Sequence, residues 1–225
     1  MRGTPPAASG GKTIKLRDKA YARFAKHLMT RDILPGQFVS QRELVEITAM
    51  PLGAVRELIP RLEAEGLLVT HPRRGLQVVH ADVQMIHNAF QFRLFLEKEA
   101  AACYALNATD EEIRNERESH EAILKKAEDG ITDEVLDEAQ VIDWSLHDDI
   151  IDKLDNEIIS NAYRVNSMKI RLIAQKQARL AVSEFKPTMR DHMRLIEAFE
   201  ARDAEAAREA AGAHIEHSLK WALKG

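Results

Sequence analysis

Cysteine occurs once in this 225-residue chain, as Cys103. A lone thiol excludes an internal disulfide and points to a reducing, cytoplasmic compartment. Glycine and proline are sparse, at 10 and 7 residues, while Ala, Leu, Glu, Lys and Arg abound, which favours helix. No apolar run approaches the roughly 20 residues that span a bilayer, so no membrane partner is expected. The opening "MRGTPPAASGGK" holds no apolar segment, which argues against a secretory signal. Residues 1–12 read instead as a flexible arm. Beyond that arm there is no low-complexity tract and no internal repeat.

What is present is enough apolar material, 45% of residues, to bury a sizeable core in one large domain or two smaller ones. Charge is distributed unevenly. Residues 1–80 carry 13 Lys/Arg against 7 Asp/Glu, a net +6, and the remainder carries −10. A basic first third on an acidic remainder suggests two modules, the first facing a polyanion.

In the first module, residues 13–80, the apolar residues Tyr21, Phe24, Ala25 and Leu28 lie on one face of a helix from Leu16 to about Arg31. "LPG" at 34–36 stops it. Ser40 and Glu43 have capping-box spacing at the head of a short helix ending near Thr48. "MPLG" makes a turn, and Pro51 suits the start of a third helix that closes at Gly66, with Pro60 expected to bend it. "LLVTHPRRGLQVV" reads as a hairpin with a basic tip. Three helices and a basic hairpin make a winged helix-turn-helix, whose recognition helix enters the major groove of duplex DNA. Arg42 and Arg56 are placed to reach phosphates or base edges, and Arg73 and Arg74 sit on the wing. Taken singly, each arginine is as well explained as solvated surface charge.

The stretch "ILPGQFVSQRELVEITAMPLGAVRELIPRLEAEGLLVTHPRRGLQVV" resembles the DNA-binding domain of the GntR family of bacterial transcription regulators. That resemblance implies operator contacts from Arg42 and Arg56 and a wing glycine, Gly75, at the minor groove. The chain departs from the family where a Ser/Thr-Arg pair usually opens the recognition helix, since Pro51-Leu52 stands there. Leu52 cannot make an arginine's bidentate guanine contact.

From Val83 onward nothing reads as a strand. Six helices are expected, at about 83–105, 109–128, 132–153, 156–182, 188–201 and 203–222, with "EFKPT" at 184–188 among the breaks. Short joins imply an antiparallel bundle, so the fold class is mainly α: a winged helix-turn-helix followed by an all-α bundle over 83–222. Asp143 and His147 stand four apart, in register with Leu136, Ile150 and Leu154. His192 is in register with Met189, Ile196 and Phe199, and His214 with Ala207, Ala211 and Trp221. Three helices thus aim ionisable groups inward. Three imidazoles and a carboxylate suit a divalent transition metal such as Zn, Ni, Mn or Fe. The spacing leaves two alternatives open: an Asp143–His147 pair without a metal, and His217 in place of His214. Arg93 shares an inward line with Ile86, Phe90 and Ala100, and needs an anion, either Glu97 or an effector carboxylate.

Residues 83–222 resemble the FCD ligand-binding domain of the FadR-type GntR subfamily, on "FRLFLEKEAA", "DWSLHDDIIDKLDN", "DHMRLIEAFEARDAEAA" and "AHIEHS". The resemblance implies a metal held by Asp143, His147, His192 and His214, and an effector pocket lined by Arg93. Asn156 matches a recurring family asparagine, though an N-cap explains it as well, and Arg171 is a further pocket candidate. The expected protein is a non-enzymatic, homodimeric regulator of double-stranded operator DNA, a repressor by default, whose effector is a small carboxylate bound at the metal. The rivals are a regulator with a structural metal or none, a metalloenzyme bearing a nucleic-acid module, and an adaptor dimer without a ligand.

Overall fold

The computed structural model describes residues 16–29, 32–177 and 180–224, so the expected N-terminal arm and residues 13–15 lie outside the described residues. The chain divides into two compact units, the first ending at Val79 and the second beginning at His80. No helix among the described residues is long and apolar enough to cross a membrane.

In the first unit, α1 (Leu16–Met29), α2 (Gln41–Thr48) and α3 (Leu52–Ala64) pack around Phe24, Leu28, Leu44, Val55, Leu58 and Leu62, all of them buried. Ser40 and Glu43 close a full capping box, each side chain satisfying the other's backbone N–H. At the other end of α2, Ala49 takes a left-handed conformation (φ 49°). Arg23 Nη1 steadies that turn by donating to the carbonyls of Thr48 and Ala49 at 2.9 and 2.8 Å. The α2–turn–α3 unit is therefore clamped from α1.

The expected hairpin is present as β2 (Leu68–His71) and β3 (Gly75–Val78), with His71 opposite Gly75. A third strand, β1 (Phe38–Val39), pairs antiparallel with β3 and places β3 centrally. Two residues are too few to show an alternating pattern, which is why β1 is invisible in the sequence. Pro60 lies within α3, which runs on to Ala64. Pro60 is on the exposed side, so the backbone bond it removes is replaced by water rather than left open in a core.

The second unit is built from α4 (Val83–Asn107), α5 (Asp110–Lys126), α6 (Asp133–Asp152), α7 (Glu157–Gln177), α8 (Val182–Glu200) and α9 (Ala204–Ala222), with no strand among its described residues. Asp82, Thr109, Thr132, Asn156 and Asp203 cap five of the six N-termini with side-chain oxygens. The main core cluster sets Tyr104 tilted on Phe199 at 4.7 Å between ring centres, with Ile150, Leu195 and Ile196 in the same cluster.

The boundaries on either side of the α7–α8 join differ from expectation: α7 runs to Gln177 rather than to 182. Residues 184–188 are helical, α8 starting at Val182 rather than at 188. Phe185 is wholly buried with Met189 in a cluster that includes Ile123, Val135 and Leu136. Burial of a Phe side chain is worth about 1.5–3 kcal/mol, which offsets the single helical bond that Pro187 removes. Thr188, the residue at which the expected helix begins, is instead buried inside α8.

The Tyr104–Phe199 contact joins α4 to α8. Phe199→Ala is expected to destabilise the second unit by about 3–5 kcal/mol, read as a fall in the midpoint of thermal unfolding followed by circular dichroism. A change under 1 kcal/mol would place the core elsewhere.

Candidate functional site

Helix α6 carries Asp143 and His147 on successive turns, α8 carries His192 and α9 carries His214. One ligand atom from each lies within 4.8 Å of all the others. The three histidines are buried, at 4%, 0% and 1% exposure. They turn the same atom inward: His147 Nε2 is 3.2 Å from His214 Nε2, which is 3.4 Å from His192 Nε2. Asp143 Oδ1 completes the group, 3.3 Å from His192 Nε2 and 3.9 Å from His147 Nε2. Burial, the largest influence on the Asp143 carboxyl, would raise its pKa; contact with His192 and the field of His147 override it, leaving it at about 2. Burial pushes His192 and His214 below the usual imidazole range. The acid is therefore ionised and those two imidazoles neutral near pH 7, the protonation states that metal coordination requires.

The outer atoms of two imidazoles fix their tautomers. His120 Nδ1 lies 2.7 Å from the carbonyl of Glu116, which can only accept, so Nδ1 carries the proton. His120 Nε2 is then an acceptor and takes the Nδ1–H of His192 at 3.1 Å. The Nε2 lone pair of His192 is left facing inward. His147 Nδ1 lies 2.6 Å from Glu97 Oε2, off the line of an ideal hydrogen bond, which likewise turns its Nε2 lone pair inward. His214 is different. Its Nδ1 has no hydrogen-bond partner among the described residues and stands 4.0 Å from Asp191. In either tautomer of His214, one buried ring nitrogen is unsatisfied or faces another lone pair. A cation among the three Nε2 atoms and Asp143 removes that conflict, so the donor set fits a divalent transition metal.

Neither Glu97's contact with His147 nor any role of His120 is evident from the sequence patterns used above. Glu97 accepts from Arg93 Nε at 2.5 Å and Nη2 at 3.3 Å, and from Tyr163 Oη at 2.8 Å, while also touching His147. Its pKa is held far below the ordinary carboxylate range: burial opposes this, and Arg93 and His147 outweigh it. His120 did leave a signal, since Ile113, Glu116, His120 and Ile123 follow helical spacing on the buried side of α5.

Beside the cluster lies a cavity of about 90 Å³, walled by Phe90, Trp144, Ile170 and Ile173 and reached by Arg93 and Asp143. Arg93 Nη1 has no hydrogen-bond partner among the described residues, although the rest of the guanidinium is bound to Glu97. Arg171 does not line this cavity; it stacks over Trp144 at 4.8 Å and reaches Asp148 at 3.4 Å, bracing the wall from behind. Asn156 stands apart from both. It is exposed, and its Oδ1 accepts from the amides of Ile158 and Ile159 as the cap of α7. His217, the alternative to His214, lies outside the ligand group and bonds Asp191 at 2.8 Å.

The expected DNA-contacting side chains are exposed on the first unit. Arg42 pairs with Glu46 at 3.2 Å with 89% of its side chain open to water. Arg56 Nε lies 3.5 Å from Gln41, which sets the first turn of α2 beside α3. Arg74 lies 4.6 Å over the Phe38 ring, and Arg73 (φ 67°) and Gly75 (φ 96°) shape the wing tip. Leu52 is 42% exposed at the first position of α3.

The FCD domain family matches residues 88–217, more than half of the chain. The HTH-type transcriptional regulator YdhC of Bacillus subtilis is 22% identical over 89% of this chain and 88% of its own length. The Uxu operon regulator of Haemophilus influenzae is 25% identical over 89% of this chain and 80% of its own. Among solved structures, McbR/YncC of E. coli shares the fold with a TM-score of 0.77 at 16% identity, covering 94% of this chain and 99% of that one. A GntR transcriptional regulator from Rhodococcus sp. RHA1 does so with a TM-score of 0.72, also at 16% identity, over 93% and 98%.

Glu97→Ala strips a buried guanidinium, a tyrosine hydroxyl and an imidazole of a common acceptor. Breaking a buried ion pair from one side costs about 3–5 kcal/mol. The variant is expected to unfold its helical unit at markedly lower denaturant concentration. An unchanged midpoint would mean that Arg93 finds another anion.

Proposed function

This chain belongs to the FCD-domain family of GntR-type transcriptional regulators, and we propose that it is a repressor whose hold on operator DNA is set by a small carboxylate bound at a metal in the helical unit. The observation that carries this is the convergence of three imidazole Nε2 atoms and the Asp143 carboxylate within 4.8 Å, next to a cavity that Arg93 reaches. Asp143, His147, His192 and His214 would hold the ion, with Zn, Ni, Mn and Fe all suited to this donor set. Bound there, the ion supplies a positive centre for an acid's oxygens. Arg93 presents Nη1 as a second donor to the same acid, its geometry held by Glu97.

The first unit supplies the DNA grip. Arg42, Arg56, Arg73 and Arg74 are exposed cations on or beside the turn-and-wing surface, with Gly75 at the wing, and the protein acts as a homodimer so that two half-sites are met together. Leu52 at the head of α3 leaves base readout to Arg56 and the wing to a greater degree than a residue with a guanidinium would. The effector shifts DNA affinity by its differential affinity for two arrangements of the dimer, and by no more than that.

Two measurements test the proposal. Elemental analysis of purified protein should find one transition-metal ion per chain. After chelation, returning that metal at about 100 times its dissociation constant should stabilise the protein by roughly 2.7 kcal/mol, and Asp143→Ala or His192→Ala should abolish the gain. On a duplex selected from a random pool, Arg56→Ala should weaken binding by about 1–3 kcal/mol, whereas His192→Ala should bind DNA but lose its response to acids. Equal damage to both activities from both variants would defeat the division of labour.

A further inference from the structure

The cavity wall includes a second set of ionisable groups that the metal does not use. Glu184 from α8 and His217 from α9 both line it. His217 lies between two carboxylates, its Nδ1 2.8 Å from Asp191 and its Nε2 3.2 Å from Glu184. Asp191 is also approached by Arg194 at 3.9 Å, but that arginine is 65% exposed, and neither residue lines the cavity. Glu184 is different: only 15% of its side chain is exposed, and it faces the cavity with His217 as its ion-pair partner.

The ionisable side chains around the cavity are therefore Arg93, Asp143, Glu184 and His217. Arg93 is committed to Glu97 through Nε and Nη2, which leaves one donor nitrogen. Asp143 belongs to the ligand cluster. His217 is shared between two anions. The cation on the wall that is not shared between two carboxylates is Arg93, beside the ligand cluster to which Asp143 belongs. Elsewhere the wall offers the Glu184 carboxylate, the neutral polar side chains of Gln140, Thr188 and Ser218, an apolar surface that includes Phe90, Trp144 and Ile170, and the Trp221 indole. Trp221 Nε1–H is buried without a partner among the described residues, so it can donate to an oxygen of the ligand.

We infer that the effector is a monocarboxylic acid with an apolar body, and that Glu184 excludes diacids by setting its own carboxylate against a second one. The inference rests on the proposed acid-sensing role of the metal-bearing unit and names the chemical class that the unit accepts. A like-charge juxtaposition in a partly desolvated site costs far more than it does in water. An apolar body gains from the aromatic and aliphatic wall, and an oxygen of the ligand satisfies the indole N–H.

Titration calorimetry on the full-length, metal-loaded protein decides the matter with matched pairs: phenylacetate against 4-carboxyphenylacetate, and hexanoate against adipate. A monoacid should bind at least about tenfold more tightly than its diacid counterpart, a difference of one decade in dissociation constant. Glu184→Gln should close most of that gap by strengthening diacid binding, and Glu184→Ser provides a second, smaller replacement should the first fail to fold. Diacids binding as well as monoacids in the wild-type protein, or a preference that survives both substitutions, would overturn the inference while leaving a carboxylate-responsive regulator intact. Binding of no acid from either pair would instead remove the effector reading on which the inference stands.

Discussion

A single buried carboxylate holds the histidine-cluster end of the helical unit in register. Glu97, 1% exposed, receives hydrogen bonds or close contacts from its own helix through Arg93, from α6 through His147 and from α7 through Tyr163. Each donor alone would be an uncompensated polar group in an apolar bundle, and so would the carboxylate without them. Together they are mutually satisfied, which makes the arrangement all-or-none. A network of this kind does less for net stability than for uniqueness of geometry. The ring of His147 is turned because Glu97 is there, and the inward lone pair follows from the turned ring.

A parallel chain orients the second imidazole. The carbonyl of Glu116 sets the tautomer of His120, and His120 sets that of His192, so a backbone oxygen on α5 determines which nitrogen on α8 faces the cluster. Outer partners that aim a metal-binding histidine are a recurrent requirement of such sites. His214 lacks a partner of comparable quality, its Nδ1 standing 4.0 Å from Asp191. It is the ring whose position owes most to whatever occupies the centre.

The fold class was readable because it rests on local rules. Capping residues such as Ser40 and Thr109, apolar spacing along α4 to α9 and the basic hairpin turn are each written in a few consecutive residues. Period also showed that Asp143, His147, His192 and His214 face inward, though not that they meet, since convergence depends on how α6, α8 and α9 cross. The failures share a cause. β1 is too short to carry a pattern, the start of α8 was masked by Pro187 while burial of Phe185 decided it, and Asn156 serves its own helix end rather than the cavity. Glu97 was legible as a neighbour of Arg93 one turn away, but its contact with His147 and its bond from Tyr163 cross 50 or more residues of sequence and leave no trace in spacing.

The early start of α8 has a mechanical consequence. Had the helix begun at 188, Glu184 would sit on a loop with its own freedom. Because it begins at Val182, Glu184, Thr188 and His192 stand at successive turns of one rod about 28 Å long. Cavity wall and cluster-facing imidazole are therefore two points on a single helix, with Pro187 between them. A tilt of that helix as a whole widens one end and swings the other.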